Sequence, residues 1–97
     1  MDIRIQSLKF DADVKLTDFI EKKLVKLSKY YEDILSIEVV LSLLPDHDNK
    51  NVLVKVFIPG NDLVVERNAQ KFEDAVVECK AVLKDLLVKV KEKKRNN

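Results

Sequence analysis

The residues of this chain best suited to chemistry are its lysines. Lys22, Lys26 and Lys29 recur at spacings of four and three, with Lys23 beside them. At about 100° per residue they fall within one arc of a helix. Lys80, Lys84 and Lys91 form a second row on one flank of a later apolar stripe. Asp74, Glu78 and Asp85 take another flank. Lysine is a point-charge partner for phosphate, so such rows would position a phosphate backbone without reading bases. Solvated helix faces also favour lysine. The rows gain meaning only if the fold sets them side by side.

Other candidates are weaker. Asp46-His47-Asp48 holds the single histidine. It could coordinate a cation, but no second cluster stands at ligand spacing, and aspartates are common turn formers. Cys79 is the single cysteine and lies inside an apolar stripe, as a small core residue would. A nucleophile there would need a base and an oxyanion site that the sequence does not supply. Gly60 stands alone in a turn, so no glycine-rich phosphate loop exists. Of the aromatic pair, Tyr31 continues a core stripe, and Tyr30 is the better candidate for stacking on a base. No catalytic set, metal site, cofactor or small-molecule substrate is expected.

The chain has 97 residues, 46% hydrophobic and 36% charged, with a formal net charge of +1. This suits one compact domain over residues 1–97. The balanced charge excludes a bulk polycation, so any nucleic-acid site must come from charge placement. One cysteine makes no internal disulfide. The opening residues lack a signal-peptide pattern, and no apolar run approaches a bilayer span. A soluble cytoplasmic protein without membrane contact is expected.

The elements that position the lysines follow from periodicity. Ile3 and Ile5 alternate with Arg4 and Gln6, predicting a strand over Asp2 to Phe10. Ile20, Leu24, Leu27 and Tyr31 predict a helix over Leu16 to Tyr31, with Thr17 as N-cap. Alternating apolar residues predict strands over Ser36 to Leu44, Asn51 to Ile58 and Leu63 to Arg67. Pro59-Gly60-Asn61-Asp62 turns the last two into a hairpin. Phe72, Val76, Cys79, Leu83, Leu86 and Val90 predict a long helix over Gln70 to Lys93. The order β-α-β-β-β-α predicts an α+β fold: a four-stranded mixed sheet with both helices packed on one face. The first two strands should be parallel through a right-handed crossover. The last residues should fray.

The pattern resembles the short form of the ribosome hibernation promoting factor family, also called ribosome-associated sigma-54 modulation protein or protein Y. The resemblance covers nearly the whole chain. Ile3-Arg4-Ile5-Gln6-Ser7 is similar to the family's first strand. Lys23-Leu24-Val25-Lys26-Leu27-Ser28-Lys29-Tyr30-Tyr31 is similar to its basic helix before an aromatic pair. Ile58-Pro59-Gly60-Asn61-Asp62-Leu63 and Phe72-Glu73-Asp74-Ala75 resemble its hairpin and the opening of its last helix. The resemblance implies a fold similar to the double-stranded-RNA-binding domain. It implies a bacterial factor for stationary phase or stress. Such a factor silences idle ribosomes by occupying the small subunit over the decoding region. It implies that Lys23, Lys26, Lys29, Lys89 and Lys91 match basic, rRNA-facing positions. The candidate rRNA-binding set is therefore Lys22, Lys23, Lys26, Lys29, Lys80, Lys84, Lys89 and Lys91.

Two departures matter. Asp85 stands where the family usually has arginine, and Val82 where a basic residue is common. An acidic residue facing phosphate weakens binding. Val82 and Val88 lie off the core stripe and, with Leu87, form a candidate face for a partner or for a homo-oligomer. A diverged member acting as an interaction module with weak RNA binding is thus the alternative to a translation silencer; an enzyme ranks below both. The second domain of the family's long form is expected to be absent.

Overall fold

The computed structural model describes residues 1–95. Its elements are β1 (Asp2–Ser7), α1 (Val14–Leu24), a 3-10 segment (Val25–Lys29), β2 (Ser36–Leu43), β3 (Lys50–Ile58), β4 (Asn61–Ala69) and α2 (Phe72–Arg95). The sheet order is β1-β2-β3-β4. β1 runs parallel to β2, and the other pairs are antiparallel. The expected α+β architecture is therefore the observed one.

Two periodicities meet in the core. Side chains alternate across a strand, so Ile37, Val39 and Leu41 of β2 share one face with Val52, Val54 and Val56 of β3. All six are essentially inaccessible to solvent. Ile20 and Leu24 of α1, Leu27 of the 3-10 segment, and Val76, Cys79, Leu83 and Leu87 of α2 close over that face in one apolar cluster. Among the described residues the opposite face of the sheet has no such cover, and Val40, Leu53 and Phe57 there are half-buried. Pro59 and Gly60 close the two-residue loop between β3 and β4. Gly60 takes φ 76°, a conformation that side chains disfavour.

Element ends differ from expectation for local reasons. β1 stops at Ser7 because Lys9 turns the chain with φ 64°. Phe10 then stacks on Phe72, with ring centroids 5.4 Å apart. Asp13, not Thr17, caps α1: its carboxylate accepts the Leu16 N–H at 2.8 Å. Thr17 lies inside the first turn and donates to the Val14 carbonyl. β3 and β4 run longer than expected because pairing continues to Lys50 and Ala69. There Ser42 donates to the Asn51 side chain, which in turn donates to Asn68. The fraying expected at the chain end falls partly on residues 96–97, outside the described residues; 91–95 are helical. Among the described residues no helix is long and apolar enough to cross a membrane.

The expected interaction face on α2 needs correction. Leu87 is fully buried, and Val82 packs against the core. Val88 alone of the three is neither buried nor in the core cluster. The reason is that α2 touches β3, β4, α1 and the 3-10 segment, so its buried arc is wider than a single neighbour demands. Leu87→Ala should therefore destabilise the fold by about 2–5 kcal/mol through cavity formation, and Val88→Ala by under about 1 kcal/mol. Urea unfolding of both variants checks this; equal losses would contradict the packing described.

Candidate nucleic-acid interface

The first basic row is aligned by a change of helix type. After Leu24 the chain tightens from α to 3-10. Ser28 Oγ donates to the Val25 carbonyl at 2.9 Å, and the Tyr30 N–H donates to Leu27 at 3.0 Å. In a 3-10 helix residues three apart eclipse. Lys26 and Lys29 therefore stack along one line, with Lys23 one step before them, while Leu24 and Leu27 line the buried side. A continuous α-helix would carry Lys29 about 120° away from Lys23.

The second row comes from α2, which packs beside α1. Lys80 sits at the seam and is half-buried. Burial lowers the pKa of its ammonium below the usual lysine value. Repulsion from Lys26, Lys23, Lys29 and Lys84 lowers it further. These neighbours along the ridge belong to α1, the 3-10 segment and α2 itself, which pack side by side, and Lys84 reaches across to the Tyr30 ring. No carboxylate neutralises them: the one ion pair among the described residues joins Arg4 and Asp2, at 3.1 Å.

Aromatic rings hold several of these ammonium groups. Lys23 Nζ lies 5.5 Å from the Phe19 ring centroid, and Lys84 Nζ 5.2 Å from that of Tyr30. Lys94 Nζ lies 5.2 Å from the Tyr31 ring and donates to its hydroxyl at 2.7 Å. The hydrogen bond to Tyr31 holds the Lys94 pKa above its ordinary value. A cation over an aromatic face is attracted by the ring quadrupole, which limits the freedom of the long side chain. Tyr30, the better candidate of the pair for stacking, thus has Lys84 over its ring. Lys94 was missed in the sequence because it falls in the tail. Its signal was Tyr31, whose hydroxyl needed a partner once the ring was buried.

The other expected residues divide. Lys91 follows Lys84 by seven residues, two turns, and continues the row. Lys22 borders a groove with Met1, Ile3, Glu21 and Val25, on the β1 side of α1. Lys89 lies about 140° around α2 from Lys84. It borders a cleft with Asn61, Leu63 and Val90. Neither is among the lysines that act on Lys80. Asp85 also leaves the ridge, about 100° from Lys84, on the flank with Asp74 and Glu78.

Cys79 is buried, and its Sγ donates to the Val52 and Val65 carbonyls at 3.7 and 3.9 Å. Burial pushes its thiol up to about 11, so it is inert near neutrality. His47 is exposed in the loop after β2. Among the described residues no group of three His, Cys, Asp or Glu side chains is placed to hold a metal ion.

Like-charge crowding at the ridge predicts a salt-dependent gain in stability. Lys80→Gln removes the central charge and should raise the melting temperature at low salt by on the order of 1–4 °C. The gain should vanish near 1 M salt, where screening is nearly complete. Paired thermal melts at both salt concentrations measure it; a gain that persists at high salt would point to packing instead.

The chain matches, over residues 3–95, the family described as sigma 54 modulation protein / S30EA ribosomal protein. A ribosomal subunit interface protein from Coxiella burnetii has a similar structure, with a TM-score of 0.85 at 22% identity, covering 95% of this chain and 99% of that one. The N-terminal domain of Protein Y from Thermus thermophilus is also similar, with a TM-score of 0.81 at 24% identity, covering 93% and 99%. No curated protein matches the chain. These structural likenesses concern the fold; the family match spans nearly the whole sequence, and the chain belongs to the sigma 54 modulation protein / S30EA ribosomal protein family.

Proposed function

We propose that the chain is a bacterial, cytoplasmic hibernation factor that binds the small ribosomal subunit through phosphates of its ribosomal RNA. It lies over the decoding region in stationary phase or stress and keeps idle ribosomes out of translation. The observation that carries this reading is the packing of α1 and the 3-10 segment beside α2, which brings Lys23, Lys26, Lys29, Lys80 and Lys84 together as a ridge with none of them in an ion pair among the described residues. Lys91 and Lys94 extend it along α2. Family membership supports a ribosomal partner. So does the Coxiella burnetii protein of similar fold, which is described as a subunit interface protein.

The mechanism is occupancy. Each lysine that meets a phosphate releases condensed counterions, and this release drives binding. Lysine contacts position the protein without reading sequence, which suits a fixed site defined by RNA shape. No bond is made or broken, and no cofactor takes part. The alternative of an interaction module with weak RNA binding rested on Asp85 and on Val82, Leu87 and Val88. Asp85 points away from the ridge and Leu87 is buried, so the observations favour the ridge.

Co-sedimentation with purified small subunits across a salt series tests the proposal. Binding should weaken steeply with salt, and each lost phosphate contact should reduce the log–log slope by about 0.7–0.9. Lys26→Glu/Lys29→Glu should abolish pelleting at moderate salt, while Lys89→Glu should bind nearly as the parent does. Normal pelleting of the double variant would sink the ridge assignment.

A further inference from the structure

Lys80 sits half-buried where α2 packs against α1 and the 3-10 segment. The residues one turn away on its own helix are Val76, Val77, Leu83 and Lys84, so no carboxylate lies one turn from it along α2. Across the seam, Lys26 has Lys22, Lys23, Lys29 and Tyr30 one turn away, again without a carboxylate. Lys84 and Lys23 are held over the Tyr30 and Phe19 rings. A primary amine is thus set among ammonium groups that form no ion pair among the described residues. We propose that Lys80 is a modification site, acylated by acyl phosphates that dock on the ammonium groups around it.

The cluster acts on such a reagent in two ways. An acyl phosphate carries its negative charge next to its reactive carbonyl, so a phosphate drawn to Lys26, Lys29 and Lys84 brings the carbonyl carbon to the Lys80 amine. Surfaces of one charge sign raise the local concentration of counter-ions by about tenfold or more. Burial and repulsion also lower the pKa of the Lys80 ammonium, so more of it is free amine near neutrality than for an ordinary lysine. The amine lone pair attacks the carbonyl carbon. The C–N bond forms, the bond from that carbon to the bridging oxygen breaks, and its electron pair leaves with inorganic phosphate. The amine proton passes to the departing phosphate or to water. Neighbouring ammonium groups stabilise the charge that gathers on the leaving phosphate. The product is an uncharged amide, which relieves the crowding at the seam. Burial alone does not create this setting: Lys55 is also half-buried, but it stands opposite Glu38 on the outer face of the sheet. Under the proposed function, acylation removes the central cation of the ridge and loosens the chain from RNA. That consequence rests on the ribosomal reading, and the acylation itself does not.

Time-resolved peptide mass mapping of the full chain with acetyl phosphate at neutral pH tests it, with Lys55 of the same molecule as the internal reference. At low salt Lys80 should be acetylated about tenfold or more faster than Lys55. Near 1 M salt, where screening is nearly complete, that ratio should fall by at least about threefold. Lys26→Gln/Lys29→Gln replaces two exposed lysines and should lower the ratio by a similar factor. Lys55 reacting at its parental rate in that variant shows that the fold is kept. The readout needs no ribosome, so it stands or falls apart from the proposed function. A Lys80 rate at or below that of Lys55, or a ratio that either salt or the double substitution leaves unchanged, would overturn the proposal.

Discussion

Hydrophobic burial holds together lysines that would otherwise separate, and the arrangement of the molecule depends on that opposition. Two ammonium groups about 8 Å apart in water repel by only about 0.5 kcal/mol, and salt reduces this further. Burying a leucine or isoleucine side chain contributes about 1.5–3 kcal/mol. Ile20, Leu24, Leu27, Leu83 and Leu87 are all fully buried beneath the ridge. Burial therefore wins several-fold, and the two helices stay side by side. The repulsion at Lys80 persists in the folded state; under the proposed function, a polyanion would relieve it.

Much of this was legible in the chain. Period-two alternation gave the strands, and the order β-α-β-β-β-α set the layers, because neither helix could bury its apolar stripe elsewhere. What could not be read was local geometry that depends on a neighbour. The segment Val25–Lys29 has the apolar spacing of an α-helix, but it tightens to 3-10. Spacing alone could not show that change. It is what moves the basic line from Lys22 to Lys23. At α2 the apolar spacing runs through Leu86 and Val90, as for a helix lying on a sheet alone. The contact with α1 widened the buried arc and drew in Leu87. Thr17 is the cap that the apolar spacing suggests; the helix instead starts at Val14, and Asp13, with an extended backbone, caps it.

The same neighbour effects explain how a chain of net charge +1 can present a strongly basic surface. Asp74, Glu78 and Asp85 occupy the flank of α2 away from α1, while Lys80, Lys84 and Lys91 occupy the flank beside it. Charge sorting of this kind gives a small protein a strong local field without a large total charge. On the proposed reading it orients the molecule as it nears a polyanion, because the acidic flank is repelled while the ridge is attracted. A uniformly basic protein would gain attraction but lose that orientation, and would bind nucleic acid from any side.

Lysine carries high rotamer entropy, so a ridge of free lysines would lose much of it on binding. Phe19, Tyr30 and Tyr31 change that balance. They place aromatic faces beneath Lys23, Lys84 and Lys94 while their rings fill space at the margin of the core. Part of the ordering is thereby met during folding and, on the proposed reading, need not be met again at the partner. The aromatic pair at residues 30 and 31 thus joins the packing of the core to the placing of surface cations. Each ring closes the seam between the first helical segment and α2, and each steadies a cation that the seam brings to the surface.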